Sequence, residues 1–205
     1  MKRKFSYLAA SIIGLLLASS SLTAQSLSTG IEMGAGASYI IEDHESGNQI
    51  DYGTSMTAGA NFKFTPNESY FGIRVNLLYV STLFTSKTLI GQTNYGEVST
   101  LTTSLLLEHL NQDKKLNLGY NFGMGYTRED YNTMKGIYSN LSIRNYMSLS
   151  VSGILSYQVS NKSSIYLTPT LLWTDPVNTF RPDNWYSGRE DINVLVQLGY
   201  TYHLK

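Results

Sequence analysis

The sequence predicts an all-β fold, an eight-stranded antiparallel up-and-down transmembrane β-barrel. Three observations support this prediction. Apolar and polar residues alternate along eight stretches, the connections between these stretches are alternately long and short, and the polar face of each stretch consists of small residues with few charges. Sixteen tyrosines and seventeen glycines beside only four prolines in 205 residues also favour β structure over helices or disorder.

The N-terminus has the pattern of a secretory signal peptide. Lys2, Arg3 and Lys4 precede an apolar run at residues 8–18, and small residues follow up to Ala24. A basic start, a short apolar core and a small-residue cleavage site are typical of such signals. We therefore expect residues 1–24 to be a signal peptide and residues 25–205 to be an outer-membrane β-barrel domain. The alternative is a retained membrane anchor.

Four strands are predicted in the first half of the mature chain. Their residues alternate between apolar and polar along 29–40, 54–64, 70–83 and 98–110. The connections at 42–52 and 84–96 are long. The connection at 66–69 (PNES) is short and has the composition of a β-turn.

Four more strands are predicted at 116–127, around 147–157, at 165–173 and at 192–204. Short turns lie at 111–115 and 160–163, and long connections lie at 128–140 and 175–189. The seventh strand contains Pro169, which cannot donate a ladder hydrogen bond, so we expect a bulge or a local break there. The eighth strand must pair with the first, because otherwise both edges of the sheet would stay open.

The connection lengths and the polar faces together indicate the bacterial outer membrane. Bacterial barrels have short periplasmic turns, longer extracellular loops and an even number of strands. A soluble barrel would expose many Lys and Glu residues, whereas the polar faces here consist of Gly, Ser, Thr and Asn, which fit a narrow lumen. The chain has no cysteine and a formal net charge of zero, which excludes disulfides and gives no sign of a nucleic-acid partner.

Four charged residues lie on the polar faces of the first four strands, near the periplasmic ends: Glu32, Lys63, Arg74 and Glu108. Because these strands are neighbours, two acids and two bases could meet inside the barrel. Buried charges are tolerated only when they are paired and hydrogen-bonded. We therefore expect a lumenal ion-pair network that plugs the lower barrel.

Three stretches resemble the small outer-membrane barrels of Bacteroidetes that are called PorT-like, of the size of OmpA or OmpX barrels. They are MTAGANFKFTPNESYFGIRVNLLYVSTLF from residue 56, LNLGYNFGMGYT from residue 116 and NVLVQLGYTYHL from residue 193, and the signal ending in Thr23-Ala24-Gln25 is similar too. The resemblance implies an outer-membrane location and no catalytic residues. It also implies a secretion partner for some members of the family.

The C-terminus resembles the signal that barrel-assembly machinery recognises, which combines a polar, a glycine, an aromatic and a hydrophobic position. The matching residues are Gln197, Gly199, Tyr202 and Leu204, and the departures are an aliphatic final residue and the trailing Lys205. This resemblance implies the barrel-assembly machinery as a partner.

Catalysis has one candidate in the sequence, His44 between Asp43 and Ser46 in the first long connection. Adjacent residues on a loop rarely hold the geometry of a catalytic triad, so we expect no catalytic residue. No spacing of His, Asp and Glu suggests a metal site, and no cofactor is expected.

The long connections carry the remaining functional signal. They are rich in the aromatic and Arg side chains that often dominate binding interfaces: Tyr131, Tyr138, Phe180, Arg181, Trp185 and Tyr186. The alternative is that these side chains fold onto the rim or touch lipopolysaccharide. We therefore expect a monomeric, non-enzymatic barrel with a structural or surface-interaction role, whose partners are outer-membrane lipid, lipopolysaccharide and a surface or secretion protein. A lipid-modifying enzyme and a narrow solute pore remain as alternatives.

Overall fold

The computed structural model describes residues 26–41, 49–66, 69–87, 91, 93–111, 114–133, 144–174 and 190–204. The strands are β1 (Ser26–Ile41), β2 (Gln49–Thr65), β3 (Phe71–Lys87), β4 (Thr93–Leu110), β5 (Leu116–Thr133), β6 (Arg144–Ser160), β7 (Ser163–Thr174) and β8 (Glu190–His203). The predicted signal peptide lies outside the described residues. In the part of the chain that is described, no helix is long and apolar enough to cross a membrane.

The eight strands form one closed barrel in chain order. Each strand is antiparallel to both neighbours. The seam between β1 and β8 runs from the pair Ser28–His203 to the pair Ile41–Glu190. The predicted fold class and the predicted closing pair are therefore confirmed.

Several strands are longer than the sequence predicts. β2 begins at Gln49, β3 continues to Lys87, β4 begins at Thr93 and β5 continues to Thr133, so parts of three predicted loops are strand. The regular alternation of apolar and polar residues fades in these extensions, but the hydrogen-bonded ladder continues. Tyr52 packs edge-on against Phe84, with ring centroids 6.3 Å apart, in a segment that was predicted to be loop.

Pro169 interrupts the ladder without a bulge. Between β6 and β7, Thr168 and Pro169 have no ladder partners. The pairs on either side, Ser152–Thr170 and Leu155–Leu167, keep the same register. On the other side, Pro169 still pairs with Val196 of β8. The register shift of the β6–β7 pair lies at Gln158 and Ser160, beside the turn. The expected break in the ladder is present. The missing N–H of Pro169 does not shift β7 relative to β6.

The two faces of the barrel have the predicted polarity. Outward side chains are apolar and exposed, as with Met33 at 66% and Leu118 at 71%. Most inward side chains are polar, and Thr102 and Gln197 among them are almost fully buried. An exterior of this kind matches lipid rather than water, because lipid-facing and lumen-facing residues alternate along membrane strands.

Above Lys63, Arg74 and Glu108, the interior is closed by an apolar layer and a hydroxyl layer. Leu78, Val80, Leu172 and Leu195 form a buried cluster across the lumen. One step towards the extracellular side, the Ser38 hydroxyl lies 2.6 Å from that of Ser55 and donates to Asn193 Oδ1 at 2.5 Å. The polar side chains of the hydroxyl layer are bonded to one another, and the two layers fill the centre of the barrel.

Candidate functional site

The charged cluster in the lower lumen is positioned by strand register. Lys63 of β2 and Arg74 of β3 are direct partners, and Glu108 of β4 is paired with Gly72 of β3. The Lys63 side chain must therefore cross β3 to reach Glu108. A Cβ atom at Gly72 would lie 3.1 Å from Lys63 Cε, so glycine leaves the crossing open.

Two ion pairs share the carboxylate of Glu108. Lys63 Nζ lies 2.6 Å from Oε1, and Arg74 Nε lies 2.6 Å from Oε2. Glu108 is 0% exposed, and both cations are buried as well. Charges removed from water in this way are stable only with partners this close, so the three residues depend on one another.

Glu32 does not belong to the ion pairs, which corrects the expectation of two acids and two bases. Glu32 pairs with Gly59 of β2, whereas Lys63 pairs with Ser28 of β1, so the two side chains start four residues apart along β2. Neutral donors hold Glu32 instead. Asn76 Nδ2 donates to Oε1 at 3.1 Å, and the Tyr166 hydroxyl donates to Oε2 at 3.0 Å.

Tyr166 of β7 connects Glu32 with the ion pairs of Glu108. It was not among the residues predicted from the sequence. Its hydroxyl accepts a hydrogen bond from Asn61 Nδ2 at 2.8 Å while it donates to Glu32. The Arg74 guanidinium lies over its ring, 5.4 Å from Cζ to the centroid, at a distance that allows a cation–π contact. One signal could have identified it, because Tyr166 is an aromatic residue at an inward position of its strand.

Two glycines make room for this network. A Cβ at Gly59 would lie 3.0 Å from Glu32 Cγ, and a Cβ at Gly199 would lie 2.1 Å from Tyr166 Cζ. Gly199 belongs to the predicted assembly signal, and so does Gln197, which accepts a hydrogen bond from Thr170 at 2.9 Å. Both positions face the lumen and are buried among the polar groups.

The other two residues of the predicted assembly signal are exposed. Tyr202 is 40% exposed on the outer face of β8, and Leu204 is 52% exposed just after the strand. The motif therefore divides between the lumen and the exterior of the closing strand.

The loop candidates are mostly outside the described residues. Tyr138, Phe180, Arg181, Trp185 and Tyr186 lie there, and so does His44 with its neighbours. The backbone of Tyr131 is part of β5 and pairs with Val98. Among the described residues, no group of three or more His, Asp or Glu side chains could hold a metal ion.

Solved structures of outer-membrane proteins resemble this barrel. OprG of Pseudomonas aeruginosa has a TM-score of 0.58 and 10% identity, over 88% of this chain and 95% of that chain. Neisserial surface protein A has a TM-score of 0.54 and 7% identity, over 87% and 98%. Ail of Yersinia pestis, solved with the heparin analogue sucrose octasulfate, has a TM-score of 0.50 and 12% identity, over 87% and 99%.

No protein-family model matches the chain, and no curated protein is significantly similar to it in sequence. Identities near 10% establish a shared fold and nothing finer. The chain has the fold of small bacterial outer-membrane barrels, and its exterior is apolar around the whole wall. The predicted location in the bacterial outer membrane is therefore confirmed.

Proposed function

We propose that this chain is a non-enzymatic, monomeric outer-membrane barrel with a sealed interior, which serves as a structural element and presents its extracellular loops to partners. The observation that carries the proposal is the filled lumen. Glu108 is 0% exposed between two cations, and Leu195, also 0% exposed, lies in the apolar layer above it. A continuous water path would require both layers to part.

The surface role rests on the extracellular side of the barrel. β3, β4 and β5 extend well past the stretches in which apolar and polar residues alternate, so they carry the second and third loops away from the membrane. The aromatic and Arg side chains of the loops, Trp185 and Arg181 among them, have the composition of binding surfaces. We propose lipopolysaccharide or a surface protein as the partner, and a secretion protein if the PorT-like relationship holds.

Conductance in planar bilayers tests the sealed interior. Purified residues 25–205 should show no stable channel openings. A variant with Leu172 and Leu195 replaced by glycine and with Lys63, Arg74 and Glu108 replaced by serine supplies the matched control, because it opens the apolar layer and the ion-pair layer together. Insertion of each protein is checked separately by its heat-modifiable migration after reconstitution. Openings in the variant alone would then support the sealed lumen, whereas stable and sizeable openings in the unaltered protein would refute it and favour a solute pore.

Lipid A profiling tests the absence of enzymatic activity. Lipid A from cells that express the protein, from cells that lack it and from cells with His44→Ala is compared by mass spectrometry. We expect identical profiles, because adjacent residues in one loop rarely hold triad geometry. A modification that requires both the protein and His44 would overturn the proposal in favour of a lipid-modifying enzyme.

A further inference from the structure

A cavity of about 390 Å³ lies at the periplasmic end of the lumen, below the ion pairs. Its floor is formed by Lys63, Arg74, Glu108 and Tyr166. Its rim includes Lys162, in the turn between β6 and β7, and His203 at the end of β8. We call this cavity the periplasmic cup. A solute can reach it from the periplasm without crossing the layers that close the barrel.

The periplasmic cup carries excess positive charge. Lys63, Arg74 and Lys162 contribute three positive charges and Glu108 one negative charge, so the balance of these four lining residues is +2. Both carboxylate oxygens of Glu108 are already paired at 2.6 Å. Glu32 lies behind the floor, where it accepts a hydrogen bond from the Tyr166 hydroxyl at 3.0 Å, and it lowers the local balance to +1. An anion that entered would therefore meet a neutralised carboxylate and one surplus positive charge, in surroundings where charges interact more strongly than in water.

The floor offers a donor suited to an oxyanion. Arg74 pairs with Glu108 through Nε, and its planar guanidinium carries further N–H donors on the two Nη atoms. A guanidinium can hold a second carboxylate or phosphate through that other edge, since its donors are arranged as a rigid fork. Arg74 is only 4% exposed, so its position is fixed by packing rather than by solvent.

The wall of the periplasmic cup combines hydroxyl and amide groups with the apolar side chains of Leu110, Ile154 and Leu204. Ser28, Ser156, Ser164 and Thr201 supply hydroxyls, and Gln158 supplies an amide, whereas both polar atoms of the Asn117 side chain are bonded to the backbone of Lys114. The Ser164 hydroxyl lies 3.2 Å from His203 Nε2, which orients both groups at the rim. Such a wall suits a ligand that has both hydroxyls and apolar ring faces, as sugars do, and the volume is at the small end of ligand pockets, which span roughly 300–1,000 Å³.

We propose that the periplasmic cup binds a small sugar acid or sugar phosphate from the periplasmic side. The oxyanion would lie on the side of Arg74, Lys63 and Lys162, and the sugar hydroxyls would lie against the serine and amide wall. The same chemistry occurs in free solutes and in the soluble fragments of the cell wall. Binding does not depend on whether the lumen conducts, so conductance and binding measurements test separate statements.

Nuclear magnetic resonance titration of the ¹⁵N-labelled protein in lipid nanodiscs tests the proposal. The probes are glucuronate, glucose 6-phosphate and a purified muropeptide, with glucose as the neutral control. Saturable shifts of the amides of Ser164 and His203 are expected with at least one anionic probe and not with glucose. If only the muropeptide binds, the ligand is a fragment of the cell wall. If the monosaccharides bind, the ligand is a free solute.

Two matched variants identify the cup as the site. Lys162→Ser removes a rim charge, while its backbone amide and carbonyl keep their bonds to Ser160 Oγ and the His203 amide. Lys115→Ser removes the same charge from an exposed residue at the same end of the barrel, outside the cup. Lys162→Ser should weaken binding about two- to five-fold, the usual range for an exposed charge pair, and Lys115→Ser should leave it unchanged.

Three results would overturn the proposal. They are the absence of saturable shifts with every anionic probe, equal shifts with glucose, and equal affinities for the two lysine variants. The unaltered protein and both variants are compared in the same nanodiscs, with identical spectra away from the cup as the measure of correct folding.

Discussion

Replacing Gly199 with alanine should destabilise the barrel through Tyr166. The added Cβ would lie 2.1 Å from Tyr166 Cζ and 2.5 Å from both Cε2 and the hydroxyl oxygen. Carbon atoms pack at roughly 3.5–4.0 Å, so the ring must move by more than about 1 Å. Tyr166 is 3% exposed, and its hydroxyl is bonded to Asn61 and Glu32, so the ring cannot move without loss.

The magnitude follows from two contributions. Overpacking of a well-filled interior costs about 1–3 kcal/mol, and each displaced hydrogen bond costs about 1 kcal/mol more. We therefore expect Gly199→Ala to lower the free energy of unfolding by about 2–5 kcal/mol, the upper part of the range applying if both hydrogen bonds of the Tyr166 hydroxyl are lost. The assay is reversible unfolding by urea in lipid vesicles, with tryptophan fluorescence as the signal. Folding into vesicles does not require the assembly machinery.

Two controls separate this contact from a general effect of alanine. A Cβ at Gly153 would meet only Pro169 Cγ, at 3.4 Å, so Gly153→Ala should cost much less. In a Tyr166→Ala background the ring is absent, and Gly199→Ala should then be nearly neutral. Equal costs at Gly199 and Gly153, or the same cost with and without the Tyr166 ring, would refute the reasoning. A variant that unfolds normally in vesicles yet fails to insert in cells would assign Gly199 to the assembly signal alone.

Three further predictions concern the same barrel. Glu108→Gln should cost about 3–5 kcal/mol of unfolding free energy, because it leaves two buried cations without their shared carboxylate; a cost below about 1 kcal/mol in urea titrations would contradict this. Tyr202→Asp should abolish heat-modifiable migration on gels of cell membranes. The variant should still refold into vesicles, because an acid at the membrane interface costs only about 0–1 kcal/mol of stability. Normal migration of the variant from cells would exclude a role of Tyr202 in assembly. Leu195→Ala should lower the free energy of unfolding by about 2–5 kcal/mol, and Leu198→Ala should lower it clearly less. The reason is that Leu195 is 0% exposed inside the barrel, whereas Leu198 is 56% exposed on its outer face. Equal midpoints of unfolding would argue against the apolar layer.

Much of the fold could be predicted because a membrane barrel leaves a period-two pattern in the sequence. β5 shows this best: Tyr120, Phe122 and Met124 face outward, and Asn121 and Gly123 lie at alternate positions. The strand ends could not be predicted in the same way. Residues 128–133 at the end of β5 read REDYNT and show no alternation, and the register shift between Tyr52 and Ser55 interrupts the period of two near the start of β2.

The candidate site was only partly predictable, for a related reason. Period two places Glu32, Lys63, Arg74 and Glu108 on inward faces, but it says nothing about their relative heights. The stagger between neighbouring strands decides which side chains meet. It brings Glu108 to two cations and leaves Glu32 with neutral donors one layer higher, beside Tyr166, which only the tertiary structure identifies as part of the network.

The sequence by itself determined the barrel, its eight strands, its closure through the last strand and its membrane, because the solvent on each face selects the residues along each strand. The tertiary structure alone decided the contents of the lumen. Register and stagger are properties of strand pairs, so they place Gly199 under the Tyr166 ring and give Glu108 both cations. The alternation of β8 therefore predicts the seam with β1. It does not reveal that Gly199 leaves the space which the Tyr166 ring occupies.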